Sequence, residues 1–217
     1  MQLGQRIAKV YGVVTIVVLT TLLIPVQSLA AGDEPPTNYV FPFSKVAVPY
    51  PLDHIDYPAV DVNGCYARVL APTSGTITRT RKIDKWKKEK DTPGTRGGKT
   101  VTLVGDDKVR YYFAHLGKVK VTTGQRVSAG DWIGVMGSSG NARITICHTH
   151  FGISRICPLA EAYLLRGEIW PQKYLNAWRA GQQLSPSKAI KRLLKEDPLG
   201  CTRSRADTEA ALTQKTG

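Results

Sequence analysis

From about Val46 to Ile153 the chain alternates short runs of β-branched and aromatic residues with turn-forming clusters, and that punctuation leaves few folds open. The runs are Tyr66–Ala71, Gly75–Thr80, Thr100–Val104, Val109–Leu116, Trp132–Met136 and Thr145–Ile153. Between them sit Pro72-Thr73-Ser74-Gly75, Gly105-Asp106-Asp107, Ala129-Gly130-Asp131 and Gly137-Ser138-Ser139-Gly140. Gly reaches the backbone angles that tight turns need, and Asp and Ser side chains bond to nearby backbone, so each cluster ends a strand. Short strands in succession, without helical periodicity between them, predict an all-β domain, sandwich or barrel-like, rather than an alternating α/β fold.

Past Ile153 the character changes. Trp170–Gly181 has Pro171 near its start, Gly181 at its end, and Tyr174, Leu175 and Trp178 on one helical face. Ser185–Glu196 opens Ser-Pro and sets Ala189, Ile190, Leu193 and Leu194 in an apolar stripe. Both predict short helices packed on the sheet, and the polar tail after Cys201 is expected to fray. Within the β region one long basic insertion, Arg81 to Gly98, stands out. A loop of that length inside a compact domain is either functional or disordered, and the sequence weighs the two equally.

The first thirty residues read as an export signal: Arg6 and Lys9, then an apolar run from Tyr11 to Val26, then Ser28-Leu29-Ala30 with small residues where a signal peptidase reads. The run is shorter than the roughly 20 residues a membrane span needs, so cleavage after Ala30 is favoured over an uncleaved anchor and no stable membrane insertion is expected afterwards. Residues 31–44, with Pro35 and Pro36, read as a flexible lead-in. Four cysteines remain, Cys65, Cys147, Cys157 and Cys201. In an exported chain they predict two disulfides, with three pairings open, and without Cys-x-x-Cys a thiolate metal site or redox dithiol is disfavoured. The formal charge is +13, and +11 without Arg6 and Lys9. Such a surface suits polyanions but does not choose among them.

The chain holds four histidines, His54, His115, His148 and His150. His148 and His150 are alternate residues of a strand-like run, so their rings project from one side. His54 lies seven positions before Asp61, and His115 sits near the end of the Val109–Leu116 run. A hydrolytic zinc site needs three protein ligands of imidazole and carboxylate type, with a fourth position open to water. Two histidines and one carboxylate meet that need, leaving two histidines for proton transfer and oxyanion stabilisation. A lone histidine is more often structural, and His-x-His alone is a weak signal.

Four stretches together resemble the lysostaphin-like zinc metallopeptidases, which cut peptides of bacterial peptidoglycan. They are His54–Val62, with an Asp-Tyr-Pro-Ala-x-Asp signature; Arg110–Leu116, an aromatic strand ending His-Leu; Gly124–Gly140, a Gly-x-x-Val-x-x-Gly-x-x-Ile-Gly-x-x-Gly hairpin; and Cys147–Ile153, the His-x-His strand. The segment Trp170–Pro186 is similar to a C-terminal stretch of the same branch, so the resemblance spans roughly residues 45–186. It implies an antiparallel two-sheet β core, the duplicated hybrid motif, with a short helical C-terminal extension. It implies a metallopeptidase domain over residues 45–160 and an extension and tail over 161–217. It implies one zinc ion held by His54, Asp61 and His150, with His115 and His148 catalytic. Six residues separate His54 from Asp61 where most of the family has three, with Asp53 and Asp56 as nearby substitutes, and Asp56 reads as a partner orienting a ligand imidazole.

The implied activity is a secreted, periplasmic or wall-associated endopeptidase with peptidoglycan peptides as substrate. The basic segment 81–98 is expected to hold anionic wall polymers. One alternative is a non-catalytic or gated wall-binding regulator of other hydrolases, with the insertion covering the groove. A nucleic-acid or membrane-surface binder leaves the histidines unexplained, and no nucleic-acid motif is present.

Overall fold

The computed structural model describes residues 38–44, Tyr50, His54, 57–158 and 165–204. The export signal over 1–30, most of the lead-in, Asp53, Asp56 and the end of the tail lie outside the described residues. Nine strands follow in order: β1 (Val60–Asn63), β2 (Arg68–Leu70), β3 (Gly75–Arg81), β4 (Thr100–Gly105), β5 (Arg110–Ala114), β6 (Lys118–Val119), β7 (Arg126–Val127), β8 (Trp132–Val135) and β9 (His148–Ser154). Two helices follow, α1 (Gln172–Arg179) and α2 (Ser187–Glu196), and residues 200–204 are helical as well.

The strands form two antiparallel sheets, as the sequence pattern and the resemblance led us to expect. One has six strands in the order β1-β9-β5-β4-β3-β7 and the other three in the order β2-β8-β6. Alternation along each strand builds the core between them. Val60 and Val62 of β1, Tyr111 and Phe113 of β5, and Phe151 and Ile153 of β9 are fully buried, together with Val69 of β2 and Ile133 of β8. Tyr174, Leu175 and Trp178 of α1 and Ile190 of α2 join the same core. Burying one such side chain contributes about 1.5–3 kcal/mol, so α1 is bound by the face its spacing predicted, whereas α2 is bound by Ile190 with Leu193 against it and Leu194 of the expected stripe is exposed.

Some boundaries depart from the sequence pattern. Tyr66 is exposed with φ 60°, a left-handed turn that delays the strand until Arg68. Thr145–Cys147 is not strand, because Gly140–Ile144 coils into a 3-10 turn and the chain straightens only at His148. β1, β6 and β7 are too short to show a pattern of their own. The disulfides pair Cys65 with Cys147 and Cys157 with Cys201. The first ties the end of β1 to the start of β9, where the Gly64 N–H also donates to the Cys147 carbonyl. The second ties the segment after β9 to the helical residues 200–204 beyond α2.

Candidate metal centre and active site

Register and parity place the site on the face of the large sheet away from the core. Asp61 of β1 pairs with His150 of β9, which pairs in turn with Ala114 of β5. Cross-strand partners point to the same side, so Asp61, His150 and Ala114 form one row, and His148 lies two residues along the same face. Phe151, one residue on, points into the core. His54, on the segment before β1, completes the row with its ring 5.2 Å from that of His150.

His115 arrives by a different route. Tyr111 and Phe113 face the core, so a continued strand would aim residue 115 inward as well. The strand stops at Ala114 instead, and His115 adopts φ 61°. That left-handed conformation costs a non-glycine residue about 1–2 kcal/mol. It turns the ring back to the site face, 4.8 Å from the His148 ring. The backbone there is held on both sides, the His115 N–H donating to the Gly97 carbonyl and the Ser139 N–H to the His115 carbonyl.

The structure thus gathers all four histidines and Asp61 around one cavity of about 220 Å³. One donor atom each from His54, Asp61 and His150 lies within 4.8 Å of the others. Asp61 is the hub. Its Oδ1 is 2.9 Å from His150 Nδ1, and its Oδ2 is 3.9 Å from His54 Nε2 and 3.8 Å from His148 Nε2. Burial pushes the Asp61 carboxyl up, but the bonded His150 ring and the charges of His148 and His54 outweigh it and hold the group at about 2. Burial, with His148 and His150 close by, pushes His115 down to about 3, so its imidazole is neutral.

The backbone fixes the tautomers. His115 Nδ1 lies 2.9 Å from the Ser139 carbonyl and His148 Nδ1 2.8 Å from the Ile146 carbonyl. A carbonyl only accepts, so each Nδ1 carries a proton, and in the neutral ring each Nε2 keeps its lone pair. His150 is different: Nδ1 faces the Asp61 carboxylate and Nε2 the Arg166 carbonyl, 3.3 Å away. A neutral ring has one N–H and can satisfy only one of these oxygens. The other contact needs a second proton or a cation between nitrogen and oxygen.

Residues that the sequence did not single out complete the cavity. Tyr112 lines it from β5, two residues before Ala114 on the same face, a parity the sequence did carry. Arg166 comes from the segment after β9 and had no sequence signal. Gly152 lets it in: a side chain there would sit 2.6 Å from the Arg166 carbonyl carbon and closer still to its oxygen. Arg96 and Gly97 come from the basic insertion, which is built against the site. Its Asp84 accepts the Gly140 N–H at 2.8 Å and pairs with Arg143 at 3.3 Å. The Arg143 guanidinium covers Trp86 and donates to its carbonyl. Asp91 accepts from both Trp86 Nε1 and Arg96 Nε. Asp84 therefore anchors this segment to the Gly140–Ile144 turn and Asp91 braces it internally, while Lys82, Lys85, Lys87 and Lys88 stay exposed.

Residues 57–160 match the sequence profile of peptidase family M23. The chain is similar in structure to the catalytic domain of the antimicrobial peptidase lysostaphin from Staphylococcus simulans, at 25% identity and TM-score 0.44, covering 64% of this chain and 89% of that one. It is also similar to a protein of Ruminococcus gnavus described as a glycyl-glycine endopeptidase, at 19% identity and TM-score 0.52. That match covers 67% of this chain and 62% of the Ruminococcus chain, less than two thirds of its length. A zinc-containing peptidase from Vibrio cholerae matches at 18% identity and TM-score 0.40, covering 54% of this chain and 36% of that one. No curated protein sequence matches the chain.

Proposed function

We propose, from the match of residues 57–160 to peptidase family M23, that the chain is a zinc endopeptidase that hydrolyses peptide bonds of bacterial peptidoglycan. The observation that carries the reading is the Asp61 hub, which faces two imidazole nitrogens as metal donors while two further imidazoles present lone pairs to the same cavity.

The donor set fits zinc. Ligands of a tetrahedral zinc with bonds of about 2.0–2.2 Å lie about 3.4 Å apart. The 2.9 and 3.9 Å separations at Asp61 bracket that value. A cation there also resolves the conflict at His150, whose Nε2–H is then free to donate to Arg166. His54, Asp61 and His150 are the proposed ligands. When bound, zinc supplies a polarised carbonyl and a water whose pKa is lowered to about 7.

The chain's own residues do the rest. His115 and His148 hold their Nδ1 protons on backbone carbonyls, so each Nε2 is aimed at the cavity without cost of reorganisation. One accepts the proton of the attacking water. The other, once protonated, donates to the developing oxyanion or to the leaving amine. Asp61 stays ionised throughout, which keeps negative charge beside whichever ring becomes cationic. The exposed lysines of segment 82–90 support a role in binding anionic wall polymers, and the apolar run before residue 30 supports export.

The test is digestion of purified peptidoglycan by the zinc-loaded protein, with new amino termini read by mass spectrometry. His150→Ala should lose both zinc and cleavage. His115→Ala and His148→Ala should keep zinc and lose cleavage. Zinc loss in His148→Ala alongside retention in His150→Ala would overturn the assignment.

A further inference from the structure

A second, smaller cavity opens from the first along the same sheet face, and its lining is cationic. It shares Gly97, Tyr112 and Arg166 with the metal centre and adds Arg81 of β3 and Arg110 of β5. With Arg79, also of β3, four arginines line a space of about 20 Å³, room for one water or one carboxylate end.

Arg81, Arg110 and Arg166 make no ion pair with a carboxylate among the described residues. Arg81 donates to the Gly94 and Gly98 carbonyls at 2.7 and 3.4 Å. Arg166 donates to the Pro93 carbonyl at 2.7 Å and bonds the Tyr57 hydroxyl. Arg110, only 6% exposed, donates to Ser154 Oγ and the Leu165 carbonyl. Glu168 acts on Arg110 through space but is committed to Arg155, whose Nε it meets at 2.8 Å. Every bond these arginines make is to a neutral oxygen, so their charge is not cancelled locally. The named bonds occupy two of the five N–H donors of Arg81. Gathering cations in a partly dry pocket is unfavourable unless an anion completes it, and guanidinium is the group best shaped to take a carboxylate.

We propose that Arg81, Arg110 and Arg166 form a carboxylate subsite that holds an acidic residue of the substrate peptide near the scissile bond. The proposal rests on the peptidase reading and narrows its substrate. Ala114 pairs with His150 and Arg110 with Ser154, four residues along β9. That separation is roughly 13 Å, the span of about four residues of extended peptide. A stem peptide, which carries free carboxylates, satisfies the subsite, and an uncharged glycine bridge does not. A phosphate of a wall polymer shares the charge, but the shared wall of Tyr112 and Arg166 places the subsite within reach of the cleaved peptide itself.

The test compares two synthetic stem peptides that differ only in one residue, a free carboxylate in one and its carboxamide in the other. The parent enzyme should prefer the carboxylate by about tenfold to a hundredfold in kcat/KM, the range of a charge-assisted hydrogen bond. In Arg81→Gln and in Arg166→Gln that ratio should fall toward one. Rates that fall equally on both peptides, or a parent ratio near one, overturn the subsite while leaving the peptidase intact. If the parent cuts neither peptide, digestion of whole peptidoglycan decides the peptidase reading, and calorimetric binding of the same pair decides the subsite. Tighter binding of the carboxylate peptide that disappears in Arg81→Gln supports it, and equal binding overturns it.

Discussion

Replacing Gly152 by Ala tests the link between the sheet and the residue that orients His150. Gly152 lies on the site face of β9, and the chain around Arg166 crosses directly over it. The added Cβ would lie 2.6 Å from the Arg166 carbonyl carbon and 3.1 Å from the Gly167 Cα. Carbon atoms rest about 3.5–4.0 Å apart, so the crossing segment has to retreat by about 1 Å. It cannot rotate away freely, because Gly167 is wedged against the Pro58 carbonyl and the Glu168 N–H is bonded to the Ile153 carbonyl. Overpacking of this kind costs about 1–3 kcal/mol. The same 1 Å carries the Arg166 carbonyl from 3.3 Å to beyond hydrogen-bond reach of His150 Nε2. Losing the group that orients a ligand imidazole weakens metal binding by about 10–100-fold. Urea denaturation of the metal-free protein should show the stability loss, and a competitive zinc titration should show the affinity loss. Unchanged stability would refute the close crossing. Lost stability with zinc affinity within about twofold of the parent would refute the orienting role of Arg166.

Two further predictions concern the disulfides and pH. Changing Cys65 and Cys147 to Ser opens a loop with a separation of 82, and changing Cys157 and Cys201 opens one of 44, so each should cost about 2–5 kcal/mol in the denaturation midpoint. Only the first pair abuts His148 and β1, so only its loss should also weaken zinc binding; equal effects on zinc from both pairs would contradict the site geometry. In the metal-free protein, His115 is held at about 3 when folded against an ordinary value near 6.5 when unfolded. Between those values the unfolded chain binds the proton that the folded chain refuses, so stability is full above about pH 6.5 and falls with acidification by about 1.4 kcal/mol per pH unit at most. His115→Gln should flatten that slope between pH 6.5 and pH 5, and a slope unchanged in the variant would show that another group carries it.

How much of this was legible in the sequence depends on whether a feature is local. The fold class followed from turn clusters and short β-rich runs, and the helical faces of Tyr174, Leu175, Trp178 and Ile190 from simple periodicity, because both are properties of neighbours in the chain. The common face of His148 and His150 followed from strand parity for the same reason. What the sequence left open is pairing between distant segments. The register that sets Asp61 opposite His150, the Cys65–Cys147 staple beside it, and the passage of Arg166 over Gly152 join residues far apart in the chain. The basic insertion was ambiguous because its charge is mostly lysine, whereas its position is fixed by Asp84, with Asp91 holding its own Trp86 and Arg96 together.

His115 shows why parity alone is not enough at such a site. Strand parity aims it at the core with Tyr111 and Phe113, where an imidazole would lose its solvation without gaining a role. The chain instead ends the strand one residue early and accepts a left-handed residue that is not glycine. Nothing in the local sequence demands this, since the compensation comes from elsewhere: Gly97 accepts the His115 N–H, and Ser139 fixes both its ring and its carbonyl. Gly97 belongs to the basic insertion, and Ser139 adjoins the Gly140 turn to which Asp84 anchors that insertion. The strained residue is therefore held by two segments that are clamped to each other. This makes the insertion part of the scaffold of the proposed active site, in addition to the wall-binding role proposed for its outward lysines.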